Sequence, residues 1–185
     1  MYLDEGDVGG NSGKKAGFTA STSGNVYLSQ EFSAAQTGTF SVQWDIYVDS
    51  IINLATGTDA TAWMMIGTNG VDSNAWPNSA ATERFVYMAF YKDGGAMSGA
   101  VALVCRQLGT NTLTTITSVN LDQWYTIKVV VNVAAGTYQV YVDGISVGTY
   151  TGRTALASLA YISFAQWNDG AGAFYVDNVY SPALT

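Results

Sequence analysis

Apolar residues at every second position constrain the fold more than any other feature of this sequence. In Phe40–Val48, the valines, the tryptophan and the isoleucine fall on one face, and polar residues fall between them. Trp124–Val131 alternates in the same way. A period of two is typical of half-buried β-strands, whereas an amphipathic helix repeats about every 3.6 residues. The pattern therefore predicts strands.

The strongest local signal is Asp143-Gly144, which separates Thr137–Val142 from Ile145–Val147. A type I′ turn needs a positive φ at both central residues, and the Asp-Gly pair supplies them. This segment therefore predicts a tight β-hairpin. Further strands are predicted at Ala16–Ser21, Asn25–Phe32, Thr61–Gly67, Arg84–Tyr91, Ala100–Leu108, Thr112–Thr117, Tyr161–Trp167 and Phe174–Tyr180.

Turn residues recur between these segments, and Thr154–Leu159 is the best candidate for a short helix. Antiparallel strands at this density close into a sandwich. We therefore expect one all-β domain over residues 1–185, an antiparallel β-sandwich of the jelly-roll type. Its first ten residues, Met1–Gly10, are either a frayed terminus or an early strand.

The composition excludes several kinds of chemistry. The chain has no histidine and a single cysteine, Cys105, so histidine triads, zinc sites and intrachain disulfides are ruled out. Acid–base chemistry would have to come from Asp, Glu, Lys, Tyr or water. Charged residues make up only 11% of the chain and aromatic residues 13%, which favours a neutral ligand such as a sugar.

The charge balance narrows the range of partners. Seven basic residues against fourteen acidic ones give a net charge of −7, which predicts no nucleic-acid binding and no binding to anionic membranes. The longest apolar run, Val129–Ala135, is interrupted by Asn132 and is far shorter than the roughly 20 residues of a membrane-spanning helix. No signal-peptide pattern is visible, and we expect an extracellular piece of a longer secreted protein.

Motifs of a known fold stand at Asn11–Phe18, Trp124–Val131, Gly136–Gly144 and Phe174–Tyr180. Together, and in this order, they resemble the concanavalin A-like lectin/glucanase superfamily, in its laminin-G-like and carbohydrate-binding branches. Residues 50–120 match only in the rhythm of their strands. The resemblance implies a concanavalin A-like sandwich and leaves the function open, because that superfamily holds hydrolases, lyases, lectins and adhesion modules.

The spacing of the acidic residues argues against catalysis. Glycosidases need two carboxyl groups within about 5–10 Å of each other. Asp45 and Asp49 share a strand face but lie about 13 Å apart, and Glu83 has no acidic partner in the sequence. The Glu-x-Asp-x-x-Glu pattern of the related glucanases and the Gln-x-His motif of lyases with a similar fold are both absent.

Aromatic residues outside the predicted core favour sugar binding, because the flat C–H faces of pyranose rings pack on Trp and Tyr rings. Trp76 lies in a polar loop, and Trp167 shares a strand face with Tyr161. Tyr87 and Tyr91 share a face with Phe85, and Arg84 is expected on the opposite face. On Phe40–Val48 a polar face forms a candidate row for sugar hydroxyls. The predicted ligand-binding residues are Trp76, Trp167, Tyr87, Tyr91, Tyr161, Tyr47, Asp45, Gln43 and Arg84.

Calcium is the cofactor that the resemblance implies. Many domains of the superfamily hold a structural Ca²⁺ on their convex side, with ligands from the last strand and the N-terminal stretch. The matching residues here are Asp177, Asp4, Glu5 and Asp7. Carboxylate and carbonyl oxygens are the ligands that Ca²⁺ prefers. The alternative is a solvated acidic terminus, with Asp177 bonded to backbone N–H groups.

We therefore predict a non-catalytic module that binds a polysaccharide or oligosaccharide by ring stacking and by hydrogen bonds to hydroxyl groups. Other domains of a longer chain are further expected partners. A structural or adhesive module of a cell-surface layer, filament or virion is the first alternative. A polysaccharide hydrolase or lyase with an atypical site is the second.

Overall fold

Two antiparallel sheets form the part of the chain that the structure, a computed structural model, describes: residues 1–51, 60–70, 77–92, 101–167 and 172–184. The strands are β1 (Tyr2–Asp4), β2 (Lys15–Thr19), β3 (Val26–Gln36), β4 (Thr39–Ser50), β5 (Ala60–Gly67), β6 (Arg84–Lys92), β7 (Val101–Arg106), β8 (Leu113–Val119), β9 (Trp124–Asn132), β10 (Thr137–Val142), β11 (Ile145–Thr151), β12 (Leu159–Gln166) and β13 (Ala173–Tyr180). Short 3₁₀ turns lie at Ala81–Glu83 and Pro182–Leu184.

The seven-stranded sheet has the order β1-β2-β13-β4-β9-β10-β11, and the six-stranded sheet has the order β3-β12-β5-β6-β7-β8. Several neighbours in each sheet are distant in sequence, as in β2 beside β13 and β3 beside β12. Crossovers between two layers are characteristic of Greek-key and jelly-roll sandwiches. The predicted all-β fold class is confirmed.

The main core lies between the two sheets and takes alternate residues from each strand. Trp44 of β4 packs edge-on against Phe164 of β12, with ring centroids 5.6 Å apart, and so joins the two layers. Phe18 and Phe174 stack within the seven-stranded sheet at 4.4 Å. Fully buried side chains of this size each contribute about 1.5–3 kcal/mol of hydrophobic stabilisation. The predictions that Trp44 and Cys105 are core residues are confirmed.

Most predicted strands are confirmed within a few residues, and so is the hairpin. Asp143 and Gly144 have φ values of 51° and 79°, as a type I′ turn requires. The early-strand alternative for the terminus is confirmed by β1, which pairs with β2. The helix predicted at Thr154–Leu159 is wrong, because this segment runs irregularly into β12. No helix in the described ranges is long and apolar enough to cross a membrane.

A β-bulge at the start of β6 changes which side chains reach its outer face. The register with β5 shifts by one residue, so that Gly67 pairs with Arg84 and Phe85 is an extra residue. Phe85 consequently points into the main core, while Arg84 comes to the face that carries Tyr87. The prediction that Phe85 lies beside Tyr87 and Arg84 opposite is wrong, because it assumed regular alternation.

Candidate functional site

A second apolar cluster lies on the outer face of the six-stranded sheet, the face directed away from the main core. Its buried residues are Ala60, Trp63, Met65, Tyr87, Ala89, Val104 and Ala165. Tyr27, Tyr91 and Trp167 pack against it and are partly buried. We call this surface the arginine face, for reasons given below. A sandwich needs only its inner faces for the core, so an aromatic cluster on an outer face requires a separate explanation.

Three aromatic rings form a continuous stack on the arginine face. Trp63 of β5 is the middle ring of the stack. Its ring centroid lies 4.5 Å from that of Tyr87 and 4.7 Å from that of Trp167. The interplanar angles are 14° and 17°, so the rings are nearly parallel. Trp63 and Tyr87 are 1% exposed, whereas Trp167 is half-buried and keeps solvent-accessible surface.

The stack continues into a guanidinium group. The Arg84 guanidinium carbon lies 4.2 Å from the centroid of the Tyr87 ring. Arg84 is 7% exposed, and it donates hydrogen bonds to the backbone carbonyls of Asn78, at 2.6 Å, and Ser79. These two carbonyls fix the guanidinium over the ring, in a cation–π contact.

The other two arginines of the chain lie in the same region. Arg106, on neighbouring β7, places its guanidinium carbon 5.6 Å from the Tyr87 ring centroid. Arg153 is tied to β6 through its backbone N–H, which donates to the Phe85 carbonyl, and its side chain donates to Asn111 at 2.8 Å. Burial raises the pKa of Tyr87, and the charges of all three arginines offset part of that rise.

Three buried donors in this cluster have no hydrogen-bond partner among the described residues. They are the Trp63 indole Nε1–H, the Tyr87 hydroxyl and the Arg106 Nε–H. A buried donor without a partner costs about 1–3 kcal/mol, so most proteins avoid it. The Trp44 indole N–H of the main core also lacks a partner in the described ranges, so what sets this cluster apart is that three such donors lie around one ring on an outer face.

The remaining residues predicted for this face lie at its margins. Tyr91 is half-buried against the cluster. Tyr161 of β12 is half-buried, its ring lies so close to Gly70 that a Cβ there would be 2.1 Å from it, and its hydroxyl hydrogen-bonds with Glu31. The structure thus brings Trp167, Tyr87, Tyr91, Tyr161 and Arg84 to one sheet. Trp76 lies outside the described residues.

Tyr47, Asp45 and Gln43 lie on the other layer, so the sequence combined two separate surfaces into one predicted site. All three belong to β4 and point to the outer face of the seven-stranded sheet. The sequence placed them with Tyr87 and Trp167 in one set of ligand-binding residues, because polar alternation reveals that a residue faces outward but not from which sheet.

The N-terminal segment covers this second surface, which we call the covered face. Tyr47 is 8% exposed, and its hydroxyl donates to Asp122 at 3.3 Å. A Cβ added to Gly9 would lie 2.5 Å from the Tyr47 ring, so only glycine fits there. The neighbouring Trp124 donates its indole N–H to the Val8 carbonyl at 2.8 Å. These aromatic residues therefore anchor the terminus.

The polar residues of the covered face are also engaged. Asp45 accepts hydrogen bonds from Thr126 Oγ1 at 2.6 Å and from Asn178 Nδ2 at 2.8 Å. Gln43 is half-buried and lies in register between Lys128 and Tyr180. Asp45 thus serves cross-strand pairing within the sheet, and the row predicted for sugar hydroxyls is largely taken up by the protein's own groups.

No protein-family model matches the chain, and no curated protein matches it. Among solved structures, the alginate lyase AlyC3 superposes with a TM-score of 0.61 at 8% identity, covering 93% of this chain and 75% of that protein. A sialidase gives 0.59 at 13% identity over 92% of this chain, which spans only 15% of the sialidase. The marine PL7 alginate lyase AlyA1 from Zobellia galactanivorans gives 0.51 at 17% identity, over 83% of this chain and 64% of that protein.

The fold is concanavalin A-like. The resemblance of the four sequence motifs is thereby confirmed at the level of the fold. Identities this low carry no residue roles from one protein to another. The sandwich hosts polysaccharide-active proteins, and the chemistry of this chain must be argued from its own side chains.

The residues matched to a calcium site do not gather around one point. Asp177 accepts a hydrogen bond from Asn11 Nδ2 at 2.9 Å and another from the Asn178 N–H. Asp7 caps the Gly10 N–H, and Glu5 pairs with Lys14. No group of three acidic or cysteine residues that could hold a metal is found in the described ranges.

A lysine ammonium takes the oxygens that the terminus would offer to a metal ion. Lys15 is 2% exposed, and its Nζ donates to the carbonyls of Gly6 at 2.6 Å and Gly13 at 2.8 Å. The carboxylate of Asp4 lies 3.5 Å from the same Nζ. A fixed positive charge at this point repels a divalent cation, so this donor set does not fit calcium.

An open groove of about 570 Å³ lies away from the arginine face, lined by Ser33, Gln36, Thr39, Phe40, Ser41, Lys128, Val130, Pro182 and Ala183. Ser33 donates to the Ala183 carbonyl, and the Ser41 carbonyl accepts from Ser181, so part of its polar lining already serves the fold. The groove has depth but lacks the aromatic stack and the cations of the arginine face.

Three residues of the site were not among those predicted from the sequence: Trp63, Arg106 and Arg153. Strand alternation held a signal for Arg106, because it follows the core residue Cys105 and must face outward. Trp63 was ambiguous because its strand carries apolar residues on both faces. Arg153 lies in irregular structure, where no periodicity could place it.

Proposed function

We propose that this protein is a non-catalytic, extracellular carbohydrate-binding module that takes a polysaccharide or oligosaccharide on its arginine face. The observation that supports this proposal is the Trp167–Trp63–Tyr87 stack with unpartnered donors around Tyr87. Solved structures with the same fold include proteins named as polysaccharide lyases and a sialidase, which is consistent with a glycan ligand.

The binding would combine two kinds of contact. The exposed part of Trp167 offers apolar surface to the C–H face of a sugar ring, and Tyr91 packs against the same outer cluster. The half-buried Arg106 side chain then donates hydrogen bonds to sugar oxygens. The buried rings of Trp63 and Tyr87 hold this surface rigid, so little conformational entropy is lost on binding.

The state of the titratable groups favours binding over catalysis. Burial keeps the pKa of Tyr87 above its usual value, so the hydroxyl stays protonated at neutral pH and is a poor general base. Both carboxylate oxygens of Glu83 accept hydrogen bonds, from Asn69 and from the Ala80 N–H. A lyase or hydrolase would need a base that neither residue supplies in these states.

Affinity gel electrophoresis against a panel of soluble neutral and acidic polysaccharides tests the proposal. We expect at least one glycan to retard the protein, and Trp167→Ala to weaken retardation about tenfold, which corresponds to about 1.4 kcal/mol. Tyr180→Ala is the matched control, because this tyrosine is 62% exposed and belongs to the seven-stranded sheet. Equal loss in both variants, or no retardation by any glycan, would contradict the proposal, and released reducing ends or unsaturated products would indicate an enzyme.

A further inference from the structure

The positive charge of this chain is concentrated in one place. Fourteen acidic residues outnumber seven basic ones, yet Arg84 and Arg106 lie over the Tyr87 ring, and the third arginine, Arg153, is close enough to act on it electrostatically. Composition alone predicts a neutral ligand, because it averages charge over the whole surface. The structure shows a local cationic site on an otherwise acidic protein.

None of these arginines has a carboxylate partner in the described part of the chain. The two ion pairs found there involve Lys14 with Glu5 and Lys15 with Asp4. Arg84 bonds to neutral carbonyls, and Arg153 to the Asn111 side chain. The three guanidinium charges are therefore hydrogen-bonded or stacked but not neutralised.

A buried charge without an oppositely charged partner destabilises the folded protein. Arg84 is 7% exposed, and the loss of hydration together with the repulsion from Arg106 and Arg153 lowers its pKa, although the Glu83 carboxylate opposes that shift. Buried charges are normally paired, since an uncompensated one destabilises the fold strongly. The Arg106 Nε–H and the Tyr87 hydroxyl add two buried donors that lack acceptors. An anion bound at the half-buried Arg106 side chain would offset the excess positive charge.

We propose that the ligand of the arginine face is an acidic glycan, whose carboxylate or sulfate group docks on the half-buried Arg106 guanidinium beside the Tyr87 ring, while Arg84 and Arg153 supply the surrounding positive potential. This inference rests on the proposed glycan binding and narrows it to a chemical class. Guanidinium groups bind carboxylate and sulfate oxygens in a planar, two-pronged geometry that an ammonium cannot reproduce. Trp167 then supports the apolar side of the adjoining sugar ring.

The test compares polysaccharides with and without their charge. Affinity gels carry polygalacturonate, polymannuronate, polyguluronate or hyaluronan, each beside its carboxyl-reduced form, and a sulfated galactan beside its desulfated form. We expect at least one acidic glycan to retard the protein at least tenfold more than its neutral counterpart. Retention should weaken as salt is raised. The pair that responds identifies the group as carboxylate or sulfate.

Three variants assign the effect to the site. Arg106→Gln should reduce retention at least tenfold, and Arg106→Lys should restore only part of it, because the charge returns without the two-pronged geometry. Lys128→Gln is the control, since it removes one positive charge from the seven-stranded sheet. Urea unfolding of each variant confirms that the fold is retained.

The outcomes distinguish the acidic-ligand inference from the proposal of glycan binding on which it rests. Equal retention by a glycan and its neutral form would overturn the acidic-ligand inference and leave glycan binding standing. Retention of every polyanion, unchanged in Arg106→Gln, would also overturn it. Failure to bind any glycan, acidic or neutral, would overturn both.

Discussion

The outer faces of the two sheets carry similar residues that serve different purposes. On the covered face, Tyr47 and Trp124 donate hydrogen bonds to Asp122 and to the Val8 carbonyl. On the arginine face, Tyr87 and Trp63 are buried more deeply, at 1% exposed, yet their donors have no partner among the described residues. Aromatic content does not distinguish the two surfaces. The two surfaces differ in whether the aromatic donors have hydrogen-bond partners: Tyr47 and Trp124 have them, and Tyr87 and Trp63 have none among the described residues.

The same contrast holds for the charges. Lys15, beneath the N-terminal segment, is surrounded by two carbonyls and a carboxylate, so its charge is compensated within the protein. Arg84 has two carbonyl partners and two arginine neighbours, and the Glu83 carboxylate attracts it without forming an ion pair, so its charge is only partly compensated. A compensated buried charge stabilises a fold, whereas an uncompensated one is retained where a ligand completes it.

The largest effect should come from removing the centre of the aromatic stack. Trp63→Ala takes away a side chain that is 1% exposed and should lower the free energy of unfolding by about 3–5 kcal/mol. It should also abolish glycan retention, because Trp167 and Tyr87 lose the ring between them. Trp124→Ala should cost less, since Trp124 is half-buried, and should leave retention unchanged. Urea denaturation and affinity gels measure both. Loss of retention in Trp124→Ala would remove the distinction between the faces.

A smaller effect is expected from the buried lysine of the covered face. Lys15→Met keeps the aliphatic stem but leaves the Gly6 and Gly13 carbonyls without their donor, which should cost about 1–3 kcal/mol of unfolding free energy. Lys14→Met is the control, because its side chain is 72% exposed and its ion pair with Glu5 contributes little.

Thermal melting with and without EDTA tests whether the native protein holds calcium. Because the ammonium occupies the oxygens of the terminus, we expect EDTA to leave the melting temperature of the native protein unchanged. A fall in that temperature, together with metal found by elemental analysis, would restore the calcium that the resemblance implies and would count against the role given to Lys15.

The smallest effect concerns alkaline pH. Burial raises the pKa of Tyr87 above the value of about 10 expected in the unfolded chain. Below that pH the hydroxyl is protonated in both states, so its contribution is constant. Above it the unfolded chain ionises first, and stability falls as pH rises, by at most about 1.4 kcal/mol per pH unit for this one group.

Tyr87→Phe should therefore flatten the decline of unfolding free energy above about pH 10, while the exposed control Tyr180→Phe should not. Tyr47 sharpens the comparison, because burial and the Asp122 carboxylate both raise its pKa, whereas arginines oppose burial at Tyr87. Arg106→Gln should shift the ionisation of Tyr87 to higher pH and leave that of Tyr47 in place. Tyrosinate absorbance during titration follows both, and a shift of Tyr47 alone would refute the electrostatic assignment.

The sequence was sufficient for the fold and for part of the site. Alternation and the Asp143-Gly144 turn predicted most strands, because each is a local property of the chain. The division of outward-facing residues between two sheets depends on strand order, which no local pattern encodes. Tyr47 was for that reason grouped with Tyr87, and the cover of residues 1–14 over Tyr47 was not foreseen.

The charge of the site was missed for a similar reason. Arg84, Arg106 and Arg153 are separated by 22 and 47 positions, differences read from their numbers in the sequence, and only the tertiary fold brings them to one ring. Averaged composition therefore predicted a neutral ligand. Local accumulation of charge is a property of the folded surface, and whole-chain counts cannot report it.

The bulge at the start of β6 has a consequence for how this face can evolve. Because Phe85 is the extra residue, it packs against Tyr138 in the core while Arg84 remains outside. Residue 85 is thus free to vary with the demands of packing, and residue 84 with those of the ligand. A descendant one codon shorter at this point would keep its arginine on the surface but lose a core ring and the Phe85 carbonyl that accepts from the Arg153 N–H. Selection can therefore act on the number of residues in this bulge as well as on their identity.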